Sequence, residues 1–180
     1  IEWISADTHG GIKKINTSTM EFETDLDTFK ADAASVIPAQ QAGRIAMNAG
    51  VNKGDWCPIV PASMQSQADE NIYVLGDASI AKSMPKSGFS ANSQAKVAAN
   101  HIRGSLTGSK VFAPRFANTC WSLVATNDGI KVGANYDAKP DKINKTSGFI
   151  SKKGEDSNLR KATYEESIGW YSGITSDMFS

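Results

Sequence analysis

The chain has 180 residues, with 19 basic and 19 acidic side chains and a formal net charge of zero. This balance gives no electrostatic footprint for nucleic acid or for an anionic membrane surface, and no apolar run approaches the roughly 20 residues that a spanning helix needs. The length allows one ordinary domain or two small ones with a real core, so we expect a soluble globular protein without a membrane span.

The two cysteines, Cys57 and Cys120, lie in neither a CxxC nor a CxxCH motif. Their number is far from that of a disulfide scaffold, and their spacing indicates neither c-type haem attachment nor a zinc site. The histidines His9 and His101 have no partner close in sequence, so we predict no metal site.

The first forty residues predict a small β-meander. Ile1–Ser5 has the composition of a strand, and Gly11–Ile15 and Met20–Leu26 flank a polar turn. A helix is predicted over Gln40–Ala49, with Gly50 as its C-terminal cap. Because no strand–glycine-loop–helix unit opens the sequence, we interpret this segment as the tail of a domain and expect the chain to begin within a longer protein.

The middle of the chain predicts a strand followed by a helix. Ile72–Leu75 is typical of a buried strand and ends at Gly76-Asp77. An alanine-rich helical pattern covers Ser87–Ile102 and is predicted to end at Gly104. A strand–helix unit of this kind favours α/β architecture.

The last third predicts a hairpin and a helix. Asn118–Thr126 and Ile130–Tyr136 are typical of strands joined by the turn Asn127-Asp128-Gly129, and residues 137–156 indicate a polar loop. The final helix is expected to carry its apolar side chains on one face, at helical spacing: Tyr164, Ile168, Tyr171, Ile174 and Met178.

Gly76 and Asp77 form the first candidate site. A glycine at a strand end lets a ligand approach the backbone, and a carboxylate accepts hydrogen bonds from the hydroxyls of a sugar or ribityl chain. About ten residues on, the helix start at Ser87-Gly88 offers free N–H groups and a positive dipole end, which suit a polarised carbonyl or an anionic ring edge. From the residues alone, Asp77 as a turn residue and Lys86 as a solvated side chain stay open.

A longer string around this site resembles a known family. VLGDA at 74–78, followed by MPKSGFSANSQAKVA at 84–98, is similar to the flavin-closing segment of the flavoprotein subunit of flavocytochrome c sulfide dehydrogenases. These are relatives of the sulfide:quinone reductases and, more distantly, of the glutathione-reductase-like disulfide oxidoreductases. Further landmarks follow the family's order, so the resemblance covers most of the chain: VIPAQ at 36–40, WCP at 56–58, NTCWSL at 118–123, and ES and WY within 166–171.

The resemblance implies an α/β fold, namely part of a two-dinucleotide-binding-domain flavoprotein of the glutathione-reductase-like type with a small C-terminal α+β domain. Residues 1–40 are then the tail of the NAD-like domain, and residues 41–110 are the C-terminal part of the FAD-binding domain. Residues 111–180 form the domain at the interface between flavin and cytochrome.

The resemblance also implies roles for the candidate residues in binding FAD. Asp77, which follows Gly76, contacts the ribityl chain, and Lys86–Gly88 lie near the pyrimidine edge of the isoalloxazine. Trp170 lies near the isoalloxazine and the haem-subunit interface, although aromatic residues at helical spacing are usually core residues.

Cys120 receives the catalytic role from the resemblance. In the family, the cysteine of the Asn-Thr-Cys segment is half of a redox-active disulfide over the flavin, and its partner lies in an earlier part of the family's sequence. Its sulfur should therefore have no bonded partner in this chain and should open onto a cavity shared with the helix start at Lys86–Gly88. From the residues alone, Cys120 as a small buried side chain and a Cys57–Cys120 disulfide remain alternatives, and Cys57 is favoured as structural.

The function that the resemblance implies is FAD-dependent oxidation of sulfide in the periplasm, with electron transfer to a c-type cytochrome subunit that alone carries the haem. No GxGxxG for the ADP part of FAD occurs in the sequence, so activity should require the remaining N-terminal part of the flavoprotein. The alternatives are a fragment of a sulfide:quinone reductase-like enzyme and a non-catalytic module that binds a cytochrome or another protein. Acidic residues in the last helix, Glu165, Glu166 and Asp177, favour a soluble partner over a membrane quinone.

Overall fold

A β-meander organises Ile1–Ala39, the first of two units into which the chain divides. The structure, a computed structural model, describes residues 3–179. A single-turn helix and three short strands form this unit: α1 (Ala6–His9), β1 (Lys14–Asn16), β2 (Glu21–Glu23) and β3 (Thr28–Lys30). The strands pair antiparallel in the order β1-β2-β3, which confirms the predicted meander.

The predicted strand at Ile1–Ser5 is wrong where the structure describes it, since residues 3–5 are not in a strand. Ser5 instead caps α1, because its Oγ accepts a hydrogen bond from the backbone N–H of Asp7 at 3.2 Å. Gly10, with φ of 76°, ends the helix in the left-handed conformation. Ile1 and Glu2 lie outside the described residues.

The second unit, Gln40–Ser180, combines a long helix, a three-stranded sheet and a second long helix. Its regular elements are α2 (Arg44–Asn48), α3 (Gly88–Thr107), β4 (Arg115–Ala125), β5 (Asp128–Ala138), β6 (Ile143–Ile150) and α4 (Ser157–Phe179). The sheet is antiparallel in the order β4-β5-β6. The fold is therefore of mixed α and β type, with two three-stranded antiparallel sheets in the described chain.

The core of this unit joins the sheet to α3 and to the irregular segment before it. Val97 and Ala98 of α3 are buried together with Phe116, Ala134 and Tyr136 of the sheet. Phe116, Ala134 and Tyr136 lie on one face, because Phe116 pairs with Tyr136 in the register and Asn118 pairs with Ala134. This face, which also includes Cys120, is called the inner face below.

The segment Ile72–Leu75 is not the regular strand that its apolar run predicts. It makes one isolated bridge, between Tyr73 and Gln65. Its backbone hydrogen bonds run from Val74 N to Met64 O at 3.0 Å, from Ser66 N to Ile72 O at 2.7 Å and from Ile72 N to Asp69 O at 3.2 Å. Met64 itself has φ of 67°, so the neighbouring backbone turns instead of offering an extended edge. The strand–helix unit is reduced to an extended segment, a 3₁₀ turn at Gly76–Ala78 and α3.

Helix α3 starts as predicted and ends later than predicted. Ser87 caps it through a hydrogen bond from Ser90 N to Ser87 Oγ at 3.1 Å. The predicted end at Gly104 is wrong, because the helix continues to Thr107 and Gly108 provides the left-handed cap. Gly104 serves close packing instead, since a Cβ there would lie 2.2 Å from Cγ2 of Val111 in the returning chain.

Three further expectations need correction. The predicted helix Gln40–Ala49 is limited to α2, which begins only after its cap residue Gly43. The polar loop predicted at 137–156 contains β6, whose largely polar residues pair with β5. In α4, the expected apolar face is mostly solvent-exposed at Ile168, Tyr171 and Met178.

The face of α4 that points inward is instead formed in part by small and polar side chains. Thr163 is buried, and Ser167, Trp170 and Ile174 are partly buried at the helical spacing i, i+4, i+7 and i+11. Within residues 3–179, no helix combines the length and the apolarity required to cross a membrane.

Candidate functional site

The turn at Gly76-Asp77 is fastened to α3. Gly76 has φ of 69°, and its backbone N–H donates to Oε1 of Gln94 on α3 at 2.7 Å. Gln94 is only 1% exposed, so this bond holds the turn against the helix. Asp77 is exposed, and its carboxylate forms no hydrogen bond within the described chain, which leaves both oxygens available to a ligand.

Lys86 lies between this turn and an aromatic ring. Its Nζ donates to the backbone oxygens of Asp77 and Ser79, the latter at 3.3 Å. The same atom lies 3.6 Å from the ring centroid of Trp56, a cation–π arrangement. Burial lowers the pKa of Lys86 below its ordinary value, and the negative charge of Asp77 opposes that shift.

The start of α3 presents unused donors close to Lys86. Ser87 occupies the cap position, and by helix geometry the N–H groups of Gly88 and Phe89 have no intrahelical partner. The first turn carries no acidic side chain that would neutralise the positive dipole end. This helix start therefore suits an anionic or polarised acceptor.

Asn118 joins the helix start to Cys120. Its Oδ1 accepts hydrogen bonds from the hydroxyls of Ser87 and Ser90, the latter at 3.2 Å. Its Nδ2 donates to the Sγ of Cys120 at 3.5 Å. Asn118 is 4% exposed, so the link between α3 and the thiol runs through a buried amide.

The two cysteines are both free, which rules out the alternative of a Cys57–Cys120 disulfide. Cys120 lies on the inner face of the sheet, where it pairs with Val132 of β5, and its side chain is exposed. A cavity of about 190 Å³ adjoins Lys86 and is lined by Trp56, Gly76 and Gln94 among others, but Cys120 is not part of its lining. The thiol thus meets the helix start through Asn118 and not through the shared cavity that the sequence led us to expect.

Cys57 lies directly under the Gly76–Ala78 turn. It is fully buried, its N–H donates to Ala78 O at 2.9 Å, and its carbonyl accepts from Ile80 N at 2.8 Å. Burial raises the pKa of the Cys57 thiol, and the positive charge of Lys86 opposes that shift. A buried, protonated thiol in a backbone ladder supports the turn by packing.

Three aromatic rings on three elements surround the helix start. Phe89 of α3 and Trp170 of α4 stack with centroids 5.5 Å apart and an interplanar angle of 16°. Trp121 of β4 lies 5.9 Å from Phe89 and 5.6 Å from Trp170. The Trp170 ring also approaches Gly88, because a Cβ on Gly88 would lie 4.0 Å from it. We call these three residues the aromatic cluster; it places Trp170 beside the predicted helix start.

Most of the sequence candidates therefore lie in two neighbouring groups beside the start of α3. One group is the Gly76–Ala78 turn with Lys86, and the other is the helix start with Cys120 and Trp170. Sequence reasoning missed Asn118, Phe89 and Trp121. The signal for Asn118 was its position two residues before Cys120, which places both side chains on one face of a strand. Within the described part of the chain, no group of three or more His, Cys, Asp or Glu residues could hold a metal ion.

A comparison with known families finds a match in the C-terminal part of the chain. Residues 112–179 match the sequence profile described as flavocytochrome c sulphide dehydrogenase, flavin-binding. The match spans the sheet β4-β5-β6 and α4, and so it includes Cys120 and Trp170. Residues 76–88 lie outside it.

Proposed function

We propose, from the premise that residues 112–179 are a flavin-binding part of a flavocytochrome c sulphide dehydrogenase, that the protein oxidises sulfide with FAD and passes the electrons to a c-type cytochrome. The observation that carries the proposal is the buried link from the start of α3 through Asn118 to the free thiol of Cys120. It joins a cysteine suited to sulfur chemistry to a helix end suited to a negative charge.

The residues present fit a flavin. The carboxylate of Asp77 forms no hydrogen bond within the described chain, which suits the hydroxyls of the ribityl group. Lys86 and the N–H groups of Gly88 and Phe89 offer positive charge and donors, which suit the pyrimidine edge of the ring system. Trp121 contributes a buried indole N–H that has no acceptor within the described residues. When bound, a flavin supplies a two-electron acceptor that can release electrons singly to a haem.

Cys120 supplies the sulfur chemistry in this proposal. In a disulfide with a second cysteine of the flavoprotein, one sulfur forms a new S–S bond with hydrosulfide while the bond between the cysteines breaks. The other sulfur leaves with the electron pair as a thiolate. The Nδ2 of Asn118 donates to the sulfur of Cys120. Trp121, the next residue on β4, packs against Phe89.

The wider context is part of the same proposal. No GxGxxG occurs among the 180 residues, so the contacts to the pyrophosphate of FAD are assigned to another part of a glutathione-reductase-like flavoprotein. The haem belongs to the cytochrome partner, since the sequence contains no CxxCH. Periplasmic localisation follows from the resemblance to the family.

The test is anaerobic reduction of the purified full-length protein. Sulfide should bleach the visible flavin bands, and addition of oxidised c-type cytochrome should restore them while the cytochrome becomes reduced. A short-chain quinone, tested in parallel, should restore them more slowly. Preferential oxidation by quinone would favour the quinone reductase alternative, and a protein without visible absorbance would favour the non-catalytic module.

A further inference from the structure

Asn118 has more contacts than a structural residue in a strand needs. Both ends of its amide form hydrogen bonds: the oxygen accepts from two serine hydroxyls, and the nitrogen donates to the sulfur of Cys120. The side chain is buried, so water cannot replace these partners. The arrangement joins two elements, because Ser87 caps α3, Ser90 lies in its first turn and Cys120 belongs to β4.

The serines fix the direction of the amide. Ser87 Oγ already accepts a hydrogen bond from Ser90 N, which leaves its O–H free to donate to Asn118 Oδ1. Ser90 Oγ donates to the same oxygen at 3.2 Å. With both hydroxyls donating to its oxygen, the amide directs its NH₂ group at the sulfur of Cys120, which lies 3.5 Å away.

An amide donor fixed beside a sulfur favours the charged form of that sulfur. A thiolate can only accept hydrogen bonds, and a bond to a charged acceptor is worth more than one to a neutral acceptor. Because the amide is held in place by α3, no reorganisation is needed when the negative charge appears.

We propose that Asn118 is a positioning residue that stabilises the thiolate form of Cys120 and directs it toward the start of α3. The inference deepens the proposed function, on which its role in sulfur transfer rests. It predicts that Cys120 is the sulfur that departs as thiolate when a disulfide at this position is attacked.

One titratable side chain, that of Tyr136, shares the inner face with Cys120. Tyr136 of β5 lies on the same inner face, and its pKa is raised by burial and further by the charge of Cys120. Lys131 of β5 lies on the opposite face, as the alternation from Val132 requires, and is paired with Glu166 of α4. The hydrogen bond from Asn118 is the direct polar contact to the Cys120 sulfur.

The test measures the reactivity of Cys120 as a function of pH. The reduced full-length protein is treated with iodoacetamide, and alkylation is quantified on the separate tryptic peptides that contain Cys120 and Cys57. Asn118→Leu removes the amide donor beside the sulfur and adds no charge there. We expect this variant to shift the pH midpoint of Cys120 alkylation upward by about one unit, a roughly tenfold loss of rate at neutral pH.

Asn135→Leu is the matched control. Asn135 is on β5, exposed, and bonded to Ser147 at 3.0 Å, so the same substitution is made in the sheet without touching Cys120. A shift of similar size in both variants, or no shift in Asn118→Leu, would overturn the proposal.

A measurement on the parent protein avoids any effect of substitution on folding. The side-chain NH₂ resonances of Asn118 should move with the same pH midpoint as Cys120 alkylation, whereas those of Asn135 should not. Resonances of Asn118 that stay fixed across that midpoint would also refute the inference. Neither measurement uses sulfide or a cytochrome. The inference about Asn118 can therefore fail while the proposed function holds, and the reverse is also possible.

Discussion

Asp77 is proposed to contact the ribityl chain of the flavin. Its carboxylate is exposed, while its backbone oxygen is occupied by Lys86. In the full-length protein we expect Asp77→Ala to weaken flavin retention by about 1–3 kcal/mol, because acceptors for the ribityl hydroxyls are lost. Release of visible absorbance in mild denaturant measures this effect.

The control for that change is Asp141→Ala. Asp141 is also exposed but lies between β5 and β6, away from the turn. If Asp77→Ala retains flavin as well as Asp141→Ala and the parent do, Asp77 is only a turn residue.

Cys120 and Cys57 form a natural pair for comparison, because one is exposed and the other is fully buried. We expect Cys120→Ser to abolish flavin reduction by sulfide while flavin binding and folding change little, since a hydroxyl cannot form the disulfide or leave as a stabilised thiolate. Stopped-flow absorbance under anaerobic conditions measures the reduction.

Cys57→Ser should retain sulfide-driven reduction and lose some stability, because a hydroxyl replaces a thiol in the core. Reduction at the parental rate in Cys120→Ser, or its loss in Cys57→Ser alone, would contradict the assignment of the two cysteines.

Among the elements, α4 depends on a glycine of the sheet. Gly129 is buried in β5, and a Cβ there would lie 2.8 Å from the backbone nitrogen and 3.0 Å from the Cα of Tyr164. Backbone cannot rotate away as a side chain can, so Gly129→Ala should displace α4 and lower the free energy of unfolding by about 1–3 kcal/mol. Urea denaturation followed by tryptophan fluorescence measures it.

Gly173→Ala is the matched control, because Gly173 is a glycine of α4 with nothing within 4 Å of the added Cβ. This change should stabilise the protein by up to about 1 kcal/mol through helix propensity. Equal effects of the two substitutions would argue against close packing at Gly129.

The elements that the sequence predicts well are those with a local signal. The Ser87 cap and alanine-rich pattern identify α3, and Asn127, with φ of 59°, lies in the predicted hairpin turn. Strand β6 has no such signal, because its pairing partner, and not its composition, makes it a strand. The strand predicted at Ile72–Leu75 is wrong for the opposite reason: its apolar composition suggests a strand, but the backbone there is irregular and, of these four residues, only Val74 is buried.

The orientation of α4 shows what helical spacing alone cannot give. The spacing from Tyr164 to Met178 describes an apolar stripe, but Thr163 and Ser167 lie nearer the sheet. The close approach at Gly129 favours small side chains on the contacting face, and that information lies about 35 residues away in the sequence. Tertiary contact therefore overrides the local pattern.

The sequence suggests which residues belong to the candidate site, but not how their side chains contact one another. Family resemblance provides Asp77, Lys86 and Cys120, whereas the bridge through Asn118 depends on how β4 lies against α3. That contact links residues 31 positions apart, Ser87 and Asn118, and no spacing rule predicts it.

Considered as a whole molecule, the protein should lose stability in alkaline solution. Burial raises the pKa of Cys57 above its ordinary value of 9.0, so its stabilising contribution is complete below that pH and is lost as the pH rises through the folded-state pKa. Tyr136, with a pKa raised above 10.0, acts in the same direction at higher pH. Lys86, with a lowered pKa, acts in the opposite direction.

Comparison with Cys57→Ala isolates the contribution of the thiol. The free energy of unfolding should fall more between pH 8 and pH 10 in the parent than in this variant, which retains Tyr136 and Lys86. Parallel pH dependence in the two proteins would show that the buried thiol does not contribute.

Helix α3 also protects the sheet from other molecules. An outer strand with unpaired backbone groups is a template for pairing with a second chain, and β4 is such a strand. On its open side, the Ala117 N–H donates instead to Ser93 Oγ of α3 at 3.0 Å, while Leu123 and Val124 further along stay exposed. We therefore expect loosening of α3 to appear first as aggregation in concentrated solution, so the purification yield of a variant reports on this helix before its activity does.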